Sequence, residues 1–106
     1  MSARLVVLST VETAADAERL ARVLVEGRLA ACVNILPGVS SVYRWKGRLE
    51  VASERLLVIK TRAERFDALR AALISQHPYE LPEIVALPIA DGHAPYLRWL
   101  DDSVAP

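Results

Sequence analysis

Residues 29–60 read LAACVNILPGVSSVYRWKGRLEVASERLLVIK. Leu29 to Ile35 is apolar with β-branched side chains, Val39 to Trp45 resumes that character, and Arg48 to Lys60 closes on Leu56-Leu57-Val58-Ile59. Each run has the length and composition of a strand. Pro37-Gly38 predicts a bend or bulge, because proline cannot donate to a ladder and glycine has no side chain to pack. Lys46-Gly47 predicts a tight hairpin turn, because glycine accepts the positive φ that such turns need. The stretch is therefore two long antiparallel strands.

Working outward, the same unit appears on both sides. Upstream, Leu5 to Leu8 is a short buried strand. Thr13 opens a helix with Asp16 in its first turn, and Ala17, Leu20, Ala21 and Leu24 form one apolar stripe. Gly27 is placed to end that helix in a left-handed conformation. Downstream, Thr61 to Glu64 reads as a capping box, and Phe66, Leu69, Leu73 and Ile74 give the second helix its apolar face. That helix ends near His77, since Pro78 disfavours helical geometry in the residue before it. Ile84 to Ile89 is a fourth strand, with Pro88 marking an edge or a bulge. Pro95 starts a third helix carrying Tyr96, Leu97, Trp99 and Leu100, and residues 101–106 are expected to fray. Two strand–helix–strand units, each with a right-handed crossover, interleave into an α+β ferredoxin-like plait, βαββαβ plus a C-terminal helix, in a single domain over 1–106.

Composition excludes several function classes. The 106 residues are 53% apolar and 25% charged, which argues against disorder. Thirteen basic and thirteen acidic side chains cancel, so bulk attraction to nucleic acid or acidic lipid is not indicated. The longest uncharged stretch, Leu29 to Tyr43, is too short and too broken to span a bilayer. The N-terminal residues lack the pattern of a secretory signal, and Cys32 is the single cysteine, so no intrachain disulfide forms. The chain reads as a soluble cytoplasmic protein.

Two features predict an oligomer. Strands 5–8, 56–59 and 84–87 are apolar on both faces, whereas two helices cover only one face of a sheet. The hairpin is also long: about 14 residues per arm at ~3.3 Å each gives roughly 45 Å, against a diameter of about 34 Å for a compact domain of this size. Tyr43 and Trp45 at its tip need a neighbour to pack on, and closed rings are the usual outcome.

Ala31-Cys32-Val33-Asn34, Pro37-Gly38, Ser41 to Gly47, Ile59-Lys60-Thr61, His77-Pro78-Tyr79-Glu80-Leu81-Pro82-Glu83-Ile84 and Tyr96 to Trp99 together carry a resemblance over nearly the whole chain. It resembles the CutA family of divalent-cation tolerance proteins. The resemblance implies a ferredoxin-like subunit in a tight homotrimer, similar to the PII signalling proteins, linked to tolerance of copper and other divalent metals. It supports a binding protein over an enzyme. Some members carry a cysteine in the first strand and a second histidine before the His-Pro-Tyr segment as proposed copper ligands; Ser9 and Gln76 stand there in this chain, leaving His77.

The residues themselves offer a short list of candidates. His77 and Cys32 are the softest ligands and suit copper or zinc. They are too few for a closed site, so Glu80 or Glu83 from neighbouring subunits would have to complete it. The plainer readings are a buried strand cysteine and a helix-capping histidine. Tyr79, Glu80 and Glu83 line a pocket at a subunit junction, or else form a structural corner. Lys60 ends an apolar strand and pairs with Glu80 or Glu83, or reaches water. Tyr43 and Trp45 anchor the hairpin tip on a neighbour, or stack on a planar ligand. No nucleophile–base motif, Walker pattern or dinucleotide pattern is present. The expected function is a cytoplasmic, non-enzymatic homotrimer that binds Cu²⁺ or another divalent cation, without nucleic acid or membrane. The rivals are a PII-like sensor taking an anionic ligand between subunits, with Arg44, Arg48 or Arg62 contributing, and a scaffold whose trimer presents a surface to another protein.

Overall fold

The computed structural model describes residues 3–106; residues 1 and 2 of the expected domain lie outside them. The elements are β1 (Arg4–Val11), α1 (Ala14–Glu26), β2 (Cys32–Trp45), β3 (Arg48–Arg62), a 3-10 turn (Ala63–Arg65), α2 (Phe66–Gln76), β4 (Val85–Pro88) and α3 (Ala94–Ser103). The sheet order is β2-β3-β1-β4, antiparallel throughout, which is the expected ferredoxin-like plait.

The core lies between one sheet face and α1 and α2. Val7, Val11, Leu57 and Ile59 from the strands meet Ala17, Leu20 and Leu24 of α1 and Leu69 and Leu73 of α2, all buried. Strand alternation sends Val6, Leu8, Leu56 and Val58 to the other face, where they stay half-buried. Arg4 and Arg62 are directly opposed on that second face. Asp101 of α3 reaches both: Arg4 Nε and Nη2 donate to Oδ1 and Oδ2 at 2.9 and 2.7 Å, and Arg62 Nη1 lies 2.7 Å from Oδ1. α3 therefore caps one end of the second face, with Leu100 and Val104 packed against Ala31 and Ile89. The expected frayed tail is instead helical through Ser103, with Val104 buried.

Several local readings hold. Thr13 caps α1, its hydroxyl accepting from the Asp16 N–H at 3.1 Å. Lys46 and Gly47 have φ of 50° and 78°, as a two-residue hairpin turn requires. The β2–β3 register shifts between Leu36 and Val39, at the predicted bulge, and Gly38 there has φ 76°. Pro88 sits on the edge strand β4. The long axis of the molecule is 44 Å, the length expected of the hairpin.

Others are corrected. The left-handed residue after α1 is Arg28 (φ 56°), not Gly27 (φ −80°). The Leu29 N–H bonds the Leu24 carbonyl and the Arg28 N–H bonds Val25, the paired closure of a Schellman turn, which places Arg28 at its left-handed position. β2 begins at Cys32 rather than Leu29, because residues 27–31 complete that turn. There is no capping box: β3 runs through Arg62, and the buried Thr61 hydroxyl donates to the Leu29 carbonyl at 2.6 Å.

Candidate functional site

The distal half of the hairpin faces the segment that leaves α2, and a cleft of about 770 Å³ opens between them. Tyr43 and Trp45 of β2 form one wall, and Tyr79, Glu80 and Glu83 of the loop form the other. Five of the expected pocket and ligand residues thus meet in one place. β1 contributes Thr10, β2 also Arg44, and β3 contributes Glu54.

The loop is held by His77. Pro78 ends α2, and the His77 N–H bonds the Leu73 carbonyl. The imidazole is 8% exposed. Its Nε2 donates to the Thr10 carbonyl at 2.9 Å, and its Nδ1 accepts the Tyr79 N–H at 3.1 Å, which assigns the neutral Nε2–H tautomer. The ring stacks obliquely on Tyr79, with centroids 4.7 Å apart. His77 therefore pins the loop to the end of β1 and aims Tyr79 into the cleft. The Tyr79 hydroxyl donates to Glu54 Oε2 at 2.6 Å, and burial, then that hydrogen bond, raise its pKa above the usual phenol value.

Glu54 was not singled out in the sequence. It is 5% exposed, inside β3 and just before the apolar run 56–59. A carboxylate interrupting a strand otherwise headed for the core was the available signal. With Glu80 and Glu83 it gives the cleft three acidic groups against one basic group, Arg44.

The soft-ligand candidates do not converge. Both His77 nitrogens are engaged within the chain. Cys32 lies opposite Lys60 in the β2–β3 ladder, and its Sγ is 4.0 Å from Asn34 Oδ1. Of the two expectations for Lys60, the acidic partner is not found: its Nζ donates to Asn34 Oδ1 on the neighbouring strand, an exposed contact in keeping with an amine that reaches water. Glu80 faces Lys46, whose Nζ is 3.9 Å away and 5.7 Å from the Trp45 ring centroid. Among the described residues no group of three His, Cys, Asp or Glu side chains is gathered tightly enough to hold a metal ion. His77, Cys32 and Glu80 of one chain do not fit a metal centre by themselves.

The rival anion site loses one contributor, since Arg62 is tied to Asp101 and Glu64. No described helix is long and apolar enough to cross a membrane.

Comparison with known proteins places this geometry. The family model described as CutA1 divalent ion tolerance protein matches residues 5–103. The divalent-cation tolerance protein CutA of Thermus thermophilus is 50% identical over 98 residues, covering 92% of this chain and 95% of that relative. The solved structure of the divalent cation tolerance protein from the same organism aligns with a TM-score of 0.94 and 48% identity, over 96% of this chain and 99% of that one. CutA from Xylella fastidiosa aligns with a TM-score of 0.95 and 41% identity, over 98% and 100% of the two chains. The matched span holds all of the sheet but its first residue, Arg4, and every cleft-lining residue, and on it the chain belongs to the CutA1 divalent ion tolerance family.

Proposed function

We propose that this chain is a non-enzymatic divalent-cation tolerance protein that works as a cytoplasmic homotrimer and collects Cu²⁺ or another divalent ion with groups supplied by more than one subunit. The observation that carries the reading is the apolar surface left outside the core. Val42, Leu49 and Val51 on the hairpin are 64%, 68% and 69% exposed, and Val85 and Leu87 on the edge strand are each 46% exposed. Val85 and Leu87 share the open face with Leu8 and Val6, while Val42, Leu49 and Val51 lie on the helix-side face of the hairpin beyond the helices, and apolar side chains left exposed on both faces support burial against further copies. Closed symmetry repeats the cleft in every copy, and a cleft at a junction between copies could draw carboxylates from two of them; the excess of acid in the cleft favours a cation over an anion.

The metal-facing groups in this reading are Glu80 and Glu83, which are exposed, with Glu54 behind them. His77 acts by positioning the loop. Cytoplasmic placement rests on the solitary thiol and is checked by fractionation, since relatives are described as chloroplastic in rice and periplasmic in Archaeoglobus fulgidus. The deciding experiment is calorimetric titration with Cu²⁺ and, separately, Mn²⁺, on the wild type, the double variant Glu80→Gln/Glu83→Gln, and Cys32→Ser. Saturable uptake that weakens at least tenfold in the double variant supports the reading. Absence of saturable uptake, or heats unchanged in the double variant, contradicts it.

A further inference from the structure

The chain has five aspartates, Asp16, Asp67, Asp91, Asp101 and Asp102. Four lie inside helices: Asp16 in α1, Asp67 in α2, and Asp101 and Asp102 in α3. There the backbone is held at helical φ and ψ, and closing a ring between the side chain and the next nitrogen would twist the chain out of them. Asp91 is different. It is exposed, in the irregular connector between β4 and α3.

The next residue is Gly92, whose N–H donates to Asp91 Oδ1 at 2.8 Å. The carboxyl carbon, one bond from Oδ1, therefore stands beside the one backbone nitrogen with which it can close a five-membered ring. Glycine puts no Cβ in the way. The fold also keeps glycine there: a Cβ on residue 92 would lie 3.0, 3.2 and 3.3 Å from Cδ2, Cγ and Cδ1 of Leu97. Leu97 is fixed in the first turn of α3, where its N–H donates to the His93 carbonyl at 3.0 Å.

We propose that Asp91 is a site of spontaneous modification in the folded protein, converting to isoaspartate through a cyclic imide and loosening the seat of α3. The Gly92 nitrogen attacks Cγ of the neutral carboxyl. A C–N bond forms, the C–OH bond breaks, and the proton of the nitrogen leaves with the hydroxyl as water. Solvent water then opens the ring. Cleavage at Cγ restores aspartate. Cleavage at the main-chain carbonyl leaves the backbone running through Cβ and Cγ, one methylene longer, with a free α-carboxylate. No electrons are exchanged, and water is the one reagent. The added methylene falls in a short connector fastened at both ends: the Ile89 N–H donates to the Arg4 carbonyl at 3.0 Å, and Asp101 ties α3 to β1 and β3.

The test is ageing of the full chain at neutral pH and physiological temperature. Isoaspartate is read residue by residue by peptide mapping, and by methyl transfer from S-adenosylmethionine with an isoaspartyl methyltransferase. It should accumulate at Asp91 about tenfold faster or more than at the four helical aspartates. Asp91→Glu, whose ring would be one atom larger, should abolish the signal, and being exposed it leaves the core untouched. The aged fraction should unfold at lower urea than the fresh chain. Absence of isoaspartate at residue 91 of the folded chain, over a period in which a peptide of residues 87–96 forms it, overturns the proposal. So does equal accumulation at a helical aspartate, a signal that survives Asp91→Glu, or an aged fraction with the midpoint of the fresh chain.

Discussion

Replacing Asp101 by Asn tests how the C-terminal helix is fastened. Arg4 and Arg62 face one another across β1 and β3, and Asp101 separates two like charges by accepting from both. The hydrogen bond from Arg4, followed by that from Arg62, lowers its pKa to about 2 despite an opposing effect of burial. An ordinary Asp titrates near 3.9, so the full linkage is roughly 2.6 kcal/mol. The carboxylate side chain is 25% exposed, and solvent screening reduces the net effect to about 1–1.5 kcal/mol. The sign follows from the depressed value: the stabilisation is complete above about pH 4 and is lost as pH falls from there through about 2. Urea unfolding of wild type and Asp101→Asn, at one fixed protein concentration, should differ by about 1–1.5 kcal/mol at pH 7 and converge towards pH 2. At pH 7 the variant should melt roughly 5 °C or more lower. A gap that stays constant from pH 7 to pH 2.5, or is below about 0.3 kcal/mol at pH 7, refutes the reasoning.

Three further substitutions have definite expected outcomes in the same denaturation assay. Arg28→Gly relieves a left-handed φ of 56° and should stabilise by about 0.5–1 kcal/mol; destabilisation would mean that the Arg28 side chain holds the turn. Ser9→Ala removes a fully buried hydroxyl with no partner among the described residues and should raise stability by about 1 kcal/mol, whereas a loss would mean that the hydroxyl is hydrogen-bonded inside the fold, to an internal water or a backbone carbonyl. Thr61→Val keeps volume but strands the Leu29 carbonyl, so it should cost about 1–2 kcal/mol; an unchanged midpoint would remove the bond from the account.

The plait was legible because its signals are local. Lys46-Gly47, Pro37-Gly38, Thr13 and Pro95 each act within a few residues, and each does what its chemistry predicts. The misreadings arise where long-range contacts decide. Thr61-x-x-Glu64 has the form of a cap, but Thr61 bonds a carbonyl 32 residues away while its strand continues. The tail looked ready to fray because Arg4, which grips Asp101, is 97 residues distant. Gly27 and Arg28 are neighbours, and only the bonds closing onto Leu24 and Val25 choose between them. The cleft was half visible: Tyr43, Trp45, Tyr79, Glu80 and Glu83 carry the residue types of a binding site, while Glu54 looked like one charge among many on a strand. His77 has the chemistry of a ligand, yet with Thr10 and Tyr79 bound to its ring it is the fastening of the loop.

The claim beneath the proposed function is that one copy leaves too much apolar surface uncovered to persist alone. Multi-angle light scattering of the full chain at low micromolar concentration measures this directly. A mass of about 35 kDa, three times 11.7 kDa, is the predicted result; folded material of about 12 kDa would contradict it.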